Sequence, residues 1–217
     1  SAGYPFQVIQ SSHGRENFWL PFEEGKPTIA VRSWCSEAAA KTMCNLGGHD
    51  LDELRARAEK GNQAPVPLGV TVNLAIQNDL REMQSANVVG VLPGTDPQLK
   101  DEYVVLTAHF DHLGIGKPRG DDAIYNGAVD NASGCAGMLA LARAAALLPE
   151  RRRSMLFLAV TAEESGLLGS KYYAEHPTVD KKQLIANVNV DGLNVWGPTT
   201  DIEFIGFGKN SLSDVAS

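Results

Sequence analysis

The chain has 217 residues, of which 43% are hydrophobic, 21% charged and 7% aromatic, and its formal net charge is -7. This composition excludes intrinsic disorder, and the length suits one domain, or one domain with part of another. The acidic excess argues against a nucleic-acid partner, and no apolar run approaches the length of about 18 residues that a membrane-spanning helix needs.

The first part of the chain predicts a small α+β segment. Pro5 to Gln10 and Thr28 to Trp34 predict short strands, and Ser36 to Leu46 predicts a helix that ends before a Gly-Gly pair. Asp50 predicts the N-cap of a second helix that runs to about residue 60. A cluster of helix-breaking residues at 61–65 predicts a boundary, which gives domains 1–65 and 66–217.

Strands and helices alternate after this boundary. The sequence predicts strands at 69–76, 87–92, 103–108, 154–161, 186–190 and 202–207, helices at 132–148 and 165–175, and a glycine-rich loop at 114–127. Continuous apolar runs at 103–108 and 154–161 are typical of buried strands. The alternation predicts an α/β fold, namely a three-layer sandwich around a mixed sheet that is parallel at its centre.

Acidic and imidazole side chains stand where the predicted strands end. The residues concerned are His109 and Asp111 after 103–108, Glu163 and Glu164 after 154–161, Asp191 after 186–190, and Asp130 before the helix at 132–148. Ligands of open α/β sheets bind outside the carboxyl ends of the strands. We therefore expect these side chains to meet at one edge of the sheet.

Such a meeting would create a cleft with a large negative charge. Four carboxylates would lie together with no Lys or Arg inside the motifs, and a divalent cation is the natural compensation. Imidazole and carboxylate ligands without thiolate suit zinc, with manganese or cobalt as alternatives. Asp111 could accept a hydrogen bond from the ring of His109, and one of Glu163 and Glu164 could bind metal while the other acts as a base.

Each of these residues also has a plainer interpretation when it is taken alone. A histidine at a strand end is usually a surface residue, Asp130 could be a helix N-cap, and Asp191 before a glycine could be a turn residue. Their joint occurrence at successive strand ends favours a shared site. The remaining histidines are interpreted as surface residues: His13, His49, His112 and His176.

Four motifs, in chain order, carry a resemblance to a known family. They are TAHFDHLG at 107–114, NGAVDNASG at 126–134, TAEESGLLGS at 161–170 and NVDG at 189–192. They resemble the di-zinc aminopeptidases, the relatives of bacterial leucyl aminopeptidase and of glutamate carboxypeptidase. The resemblance covers residues from about 66 to 217, and residues 1–65 resemble more weakly the end of a protease-associated domain.

The resemblance implies a ligand set for two zinc ions. His109 and Asp191 would bind one zinc, Glu164 would bind the other, and Asp130 would bridge the two. It also implies a cis peptide bond after the bridging aspartate, between Asp130 and Asn131.

The resemblance further implies a mechanism and a substrate. A hydroxide held between the two zinc ions would attack the first peptide bond of a peptide with a free N-terminus. Glu163 would be the general base, and Asp111 would support His109. Because the resembling proteins are commonly exported, a periplasmic or extracellular location is expected, although the chain shows no signal peptide.

One departure from the family pattern concerns the second zinc. The family carries a further histidine ligand in a later segment, and no histidine follows His176 in this chain. We therefore expect an incomplete catalytic domain that is inactive, or that holds metal weakly at one position.

Other functions stay open on the same scaffold. A carboxypeptidase, a dipeptidase or a glutaminyl cyclase differs from an aminopeptidase mainly in its pocket residues. A non-catalytic binding or receptor domain is a further alternative, although the presence of every implied ligand but one argues against it. The preferred N-terminal residue, the native metal and the oligomeric state do not follow from the sequence.

Overall fold

The computed structural model describes residues 5–14, 16–22, 25, 29, 31–61 and 64–216. The chain forms two compact units, one of residues 1–17 and 22–82 and the other of residues 18–21 and 83–217. Segment 66–82 thus groups with the first unit, whereas the sequence suggests a boundary after residue 65. The division into domains 1–65 and 66–217 stays a prediction.

The first unit contains helices α1 (Phe6–His13), α2 (Glu37–Leu46) and α3 (Leu51–Glu59). Helices α2 and α3 confirm the sequence prediction. The side chain of Ser36 caps α2, and the carboxylate of Asp50 accepts hydrogen bonds from two backbone N–H groups at the start of α3.

Helix α1 replaces the strand predicted at residues 5–10. Phe6, Ile9 and Ser12 are the less exposed residues of this segment, and their spacing of three is that of a helix face. The predicted strand at 28–34 falls partly outside the described residues, and residues 31–34 form no strand. The strand predicted at 69–76 is also wrong, because the segment pairs with no strand among the described residues and most of its side chains face solvent.

The second unit alternates strands and helices. Its elements are β1 (Val88–Leu92), β2 (Tyr103–His109), β3 (Gly114–Arg119), β4 (Asp122–Tyr125), a π-helical turn (Ala128–Ser133), α4 (Gly134–Leu147), β5 (Ser154–Val160), α5 (Leu168–Glu175), a 3-10 turn (Lys181–Gln183), β6 (Leu184–Asn189) and α6 (Ser213–Ala216). Strands β1, β2, β5 and β6 and helices α4 and α5 confirm the predicted elements.

Two predicted segments of this unit differ from the structure. The glycine-rich stretch after β2 is a hairpin, in which Gly120 and Asp121 connect the paired residues Arg119 and Asp122. Gly-Asp is a common two-residue hairpin connection. The strands on either side of it were not predicted, because the high glycine content of the stretch is typical of a loop. The strand predicted at 202–207 is absent from the described residues, where this segment is irregular and mostly exposed.

The main sheet has the strand order β1-β5-β2-β6. Strand β2 runs parallel to both β5 and β6, while β1 runs antiparallel to β5. This confirms a mixed sheet that is parallel at its centre. The carboxyl ends of β2, β5 and β6 consequently meet at one edge.

Helices cover both faces of this sheet. On one face Tyr173 of α5 packs with Val105 of β2 and Leu156 of β5, and on the other Met138 of α4 packs with Leu106 and Ala108 of β2. The predicted three-layer sandwich is therefore confirmed. Cover on both sides explains why β2 is apolar at successive positions rather than at alternate ones. Within the described residues, every helix is too short or too polar to traverse a bilayer.

Candidate metal centre

His109 is the last residue of β2, and its side chain is only 2% exposed. Its Nδ1 atom lies 2.8 Å from the backbone carbonyl oxygen of Asp111. Its Nε2 atom lies 3.0 Å from Oδ1 of Asp130 and 3.2 Å from Oδ1 of Asp191. If the carbonyl accepts the Nδ1 proton, Nε2 is the nitrogen left to face the two carboxylates.

The protonation of His109 reflects this environment. Burial on its own would lower the pKa of the imidazole, and this is the largest single effect. The hydrogen bond to the Asp111 carbonyl and the hydrogen bond and charge of Asp191 together outweigh it, so the pKa of His109 is raised. The surroundings of His109 thus favour positive charge, which is the property that a cation-binding position requires.

A second group of ligand atoms adjoins the first. Nδ1 of His112 lies 2.5 Å from Oε1 of Glu164 and 3.8 Å from Oδ2 of Asp130. The His112 and Glu164 side chains are 20% and 25% exposed. Both atoms are buried, and their mutual orientation does not suit a hydrogen bond. Neither Oε1 of Glu164 nor Nδ1 of His112 therefore has a hydrogen-bond partner.

Asp130 belongs to both groups. The potential ligand atoms of His109, Asp130 and Asp191 lie within 4.8 Å of one another, and so do those of His112, Asp130 and Glu164. One carboxylate oxygen of Asp130 faces His109 and the other faces His112. The arrangement suits a carboxylate shared between two cations, which is the place that the family resemblance implies for Asp130.

The backbone around Asp130 is unusual. The peptide bond between Asp130 and Asn131 is cis, as the resemblance implies. The Asn131 side chain is buried, donates to the Val190 carbonyl at 2.9 Å, and accepts from the N–H groups of Gly134 at 3.0 Å and Gly192 at 2.9 Å. Asn131 therefore fastens the turn that carries Asp130 to the segment that carries Asp191.

Asp111 contacts His109 differently from the prediction. The expected acceptor was the Asp111 carboxylate, but the His109 ring meets the Asp111 backbone carbonyl instead. The carboxylate accepts hydrogen bonds from the Thr161 hydroxyl at 2.8 Å and from the Ala162 backbone N–H at 2.5 Å. Because β2 ends at His109, the chain turns and sends the carboxylate towards the end of β5, where it holds the loop that carries the two glutamates.

Glu163 follows Ala162, a non-glycine residue with a positive φ of 54°. Neither ligand group found in the described part of the chain includes Glu163. Burial raises the pKa of its carboxyl, the charge of His109 opposes that rise, and the neighbouring carboxylates add to it. A partly buried carboxyl beside ligand groups, with a raised pKa, suits a group that takes up and returns a proton.

Sequence analysis missed two residues of this centre. His112 was interpreted as a surface histidine, but it is largely buried beside Glu164, because the chain bends back after β2. Its place three residues after His109, in the same strand-end loop, was the available signal. Asn131 was also missed, because nothing in its local pattern reveals contacts with residues about 60 positions away.

The donor set fits a divalent cation that prefers nitrogen and oxygen ligands. Each group offers one imidazole and two carboxylates. Zinc accepts these ligands readily. The two buried atoms without partners, on His112 and Glu164, are further places where a cation would satisfy unpaired electron pairs.

The sequence of the chain is similar to those of known peptidases. Residues 87–217, more than half of the chain, match the profile of Peptidase family M28. The chain is 32% identical over 183 residues to "Aminopeptidase NAALADL1" of Mus musculus, covering 77% of this chain and 23% of that protein. It is 28% identical over 175 residues to "Probable glutamate carboxypeptidase VP8" of Zea mays, covering 76% of this chain and 22% of that protein.

A solved structure of a peptidase M28 precursor from Shewanella amazonensis SB2B is also similar. Its sequence identity is 29% and its TM-score is 0.41, over 48% of this chain and 22% of that chain. The chain thus spans less than a quarter of the length of the curated relatives described above. From the match over residues 87–217, we conclude that this chain belongs to Peptidase family M28.

Proposed function

We propose that this chain contributes the metal centre of an aminopeptidase that hydrolyses the N-terminal peptide bond of its substrates. The observation that carries the proposal is the shared carboxylate of Asp130, which faces His109 with one oxygen and His112 with the other. Membership of the peptidase family supports metal-dependent hydrolysis of peptides.

The ligand groups define two metal positions. His109, Asp130 and Asp191 form the first position, and Asp130 with Glu164 forms the second. Two divalent cations, when bound, supply a water molecule of lowered pKa and polarise the peptide carbonyl. Zinc is the cation that we propose, because the donor atoms are nitrogen and oxygen.

Glu163 is the proposed general base. Its partly buried carboxyl has a raised pKa, primarily because burial disfavours its charge. Such a carboxyl takes a proton from water more readily than an exposed glutamate does, and it returns the proton to the departing amine. Its neighbour Glu164 points into the second group of ligand atoms, so the two adjacent glutamates have separate tasks.

The similarity to the two relatives described above favours an aminopeptidase. The mouse protein, at 32% identity, is named an aminopeptidase, whereas the maize protein, at 28% identity, is named a probable glutamate carboxypeptidase. The half-exposed carboxylates of Asp130 and Asp191 give no further preference, because the proposed cations would neutralise their charge.

An assay with matched substrates and matched variants tests the proposal. The full-length protein is incubated with aminoacyl anilides and with acidic dipeptides, before and after chelation and zinc restoration. We expect zinc-dependent release of anilide, and loss of most activity in Glu163→Gln. Glu175→Gln is the control, because it makes the same change at an exposed glutamate at the end of α5.

Two results would contradict the proposal. Turnover that survives complete removal of metal would exclude the metal-dependent reaction. Preferential cleavage of acidic dipeptides would assign the centre to a carboxypeptidase. If Glu163→Gln matched the parent rate, the metal centre would stand but the base would be another group.

A further inference from the structure

The loop between β5 and α5 carries both glutamates of the metal centre, and the side chain of Asn87 binds both of its ends. Asn87 directly precedes β1, and it lies at the carboxyl end of β5 because the two strands run antiparallel. Its Oδ1 accepts a hydrogen bond from the Thr161 backbone N–H at 3.1 Å, and its Nδ2 donates to the Gly169 carbonyl at 2.8 Å. We infer that Asn87 is a positioning residue for Glu163. This inference rests on the proposed function, which gives Glu163 its task.

The loop is a compact unit, so its two ends determine where its middle lies. The N–H groups of Gly166 and Leu167 donate to the Glu163 carbonyl at 2.9 and 2.8 Å. The two ends are joined to each other, because the Gly169 N–H donates to the Thr161 carbonyl at 2.9 Å. A displacement of these ends would therefore carry Glu163 with it.

The backbone of the loop has an unfavourable conformation on either side of the glutamates. Ala162 and Leu167 have φ values of 54° and 63°, a region that residues with a Cβ atom rarely occupy. Such conformations persist where the surrounding contacts over-determine them. Asn87 supplies two of these contacts. The Asp111 carboxylate supplies two more, to Thr161 and Ala162, so the loop is held from two sides.

The packing at Gly169 allows one asparagine side chain to reach both ends of the loop. Gly169 is buried near the start of α5. A Cβ atom built on it would lie 2.5 Å from Oδ1 of Asn87 and closer still to the Thr161 carbonyl oxygen. The absence of a side chain therefore lets the start of α5 approach the end of β5, where the Asn87 amide joins them.

Asn87 contributes no atom to either ligand group found in the described part of the chain. It can therefore affect the reaction only through the loop that it holds. Loss of its hydrogen bonds would displace the proposed base from the water molecule whose proton it takes. A displacement of about 1 Å in such a group can lower a rate about 100-fold.

Steady-state kinetics of three variants of the full-length protein test this inference. Asn87→Ala removes both hydrogen bonds to the ends of the loop. Val89→Ala is the matched control, because it removes apolar contacts with the core two residues further along the chain. Glu163→Gln removes the proposed base. Each protein is assayed with an aminoacyl anilide at saturating zinc, which keeps the metal positions occupied.

We expect Asn87→Ala to lower kcat about 100-fold. KM should stay at the parent value, because a group that acts in the transition state affects kcat rather than substrate binding. Val89→Ala should keep the parent kcat. In the Glu163→Gln background, the substitution of Asn87 should lower kcat little further, because the two residues act through one group.

Two kinetic results would overturn the inference while the proposed function survived. The first is an equal kcat in Asn87→Ala and Val89→Ala. The second is a loss of kcat in Asn87→Ala that persists in full in the Glu163→Gln background, because independent effects combine in this way.

If the parent shows no metal-dependent turnover, the proposed function fails and backbone hydrogen exchange decides the inference. The amides of Gly166 and Leu167 should exchange at least about tenfold faster in Asn87→Ala than in the parent, since two hydrogen bonds are lost. Val89→Ala should leave the exchange of these amides unchanged. Unchanged exchange in Asn87→Ala would overturn the inference.

Asn87→Asp covers the case in which Asn87→Ala does not fold. This variant keeps the size of the side chain and an acceptor for the Thr161 N–H, but it loses the donor to the Gly169 carbonyl. It should show the same loss of kcat in smaller measure, with faster exchange in the loop. Parent values of both kcat and exchange would overturn the inference.

Discussion

Nε2 of His109 lies 3.0 Å from Oδ1 of Asp130, although the first residue ends β2 and the second belongs to the turn before α4. The other oxygen of the same carboxylate faces His112. One aspartate therefore connects two ligand groups that come from separate segments of the chain. Substitution of Asp130 is therefore expected to weaken metal binding more than substitution of any other ligand.

Asp130→Asn should weaken zinc at both positions. The amide keeps the size of the side chain but removes the negative charge that both cations would share. We expect an affinity loss of more than about 100-fold at each position, measured by zinc titration with calorimetry. Asp101→Asn, at an exposed residue before β2, should bind zinc as the parent does. Loss of only one ion in Asp130→Asn would show that the carboxylate is not shared.

Asn131→Ala should destabilise the fold and loosen the metal centre together. The Asn131 side chain is 1% exposed, and its removal leaves the N–H groups of buried Gly134 and exposed Gly192 without their acceptor. An unsatisfied buried donor, here that of Gly134, costs about 1–3 kcal/mol. Urea unfolding should therefore show a loss of about 2 kcal/mol or more.

Asn126→Ala is the control for this variant. Its side chain makes an exposed contact at 3.3 Å, so its stability should stay within about 0.5 kcal/mol of the parent. If Asn131→Ala unfolded at the same urea concentration as the parent, the hydrogen bonds of Asn131 between the two loops would not contribute to stability.

Leu156→Ala should show how much the apolar core next to the metal centre contributes to the free energy of unfolding. Leu156 is 0% exposed and packs between β2 and α5. Such truncations cost about 2–5 kcal/mol because they leave a cavity. Leu147→Ala is the matched control at a leucine that is 79% exposed, where a change within about 0.5 kcal/mol is expected. Equal losses in the two variants would contradict the assigned core.

An ion-pair cluster in the first unit should contribute to the pH dependence of stability. Nζ of Lys41 lies 3.1 Å from Asp52 and 3.3 Å from Glu37, and hydrogen bonds to Lys41 lower the pKa of both carboxyls. A lowered pKa in the folded state stabilises the protein above the unfolded pKa, and this stabilisation is lost as the pH falls through the folded value.

Asp52→Asn tests this cluster. The variant should be less stable than the parent at neutral pH, and the difference should decline as the pH falls through the lowered pKa of Asp52. Thermal unfolding followed across this range is the measurement. A difference that persisted at the lowest pH would arise from some other interaction of Asp52.

The central fold was predictable because its elements are strongly patterned. The apolar runs of β2 and β5 and the alanine-rich helix α4 have few alternative interpretations. The prediction failed where stability comes from distant contacts. The segment at 69–76 alternates like a strand but has no strand to pair with, and α1 has a helical spacing that its short length concealed.

The residues of the candidate metal centre were likewise predictable only where a sequence pattern marks them. Its members at strand ends could be predicted, because parallel strands bring their carboxyl ends to one edge. The only sequence signal for His112 was its place three residues after His109, because no local pattern encodes how the loop after β2 bends past Gly127. The acceptor for His109 was similarly hidden, because sequence spacing does not distinguish the carboxylate of Asp111 from its backbone carbonyl.

Anomalous X-ray diffraction at the zinc absorption edge tests the central claim most directly. Crystals of the protein grown with zinc should show two anomalous peaks about 3.5–4 Å apart, one on each side of the Asp130 carboxylate. Peaks placed elsewhere, or a single peak away from Asp130, would contradict the shared centre.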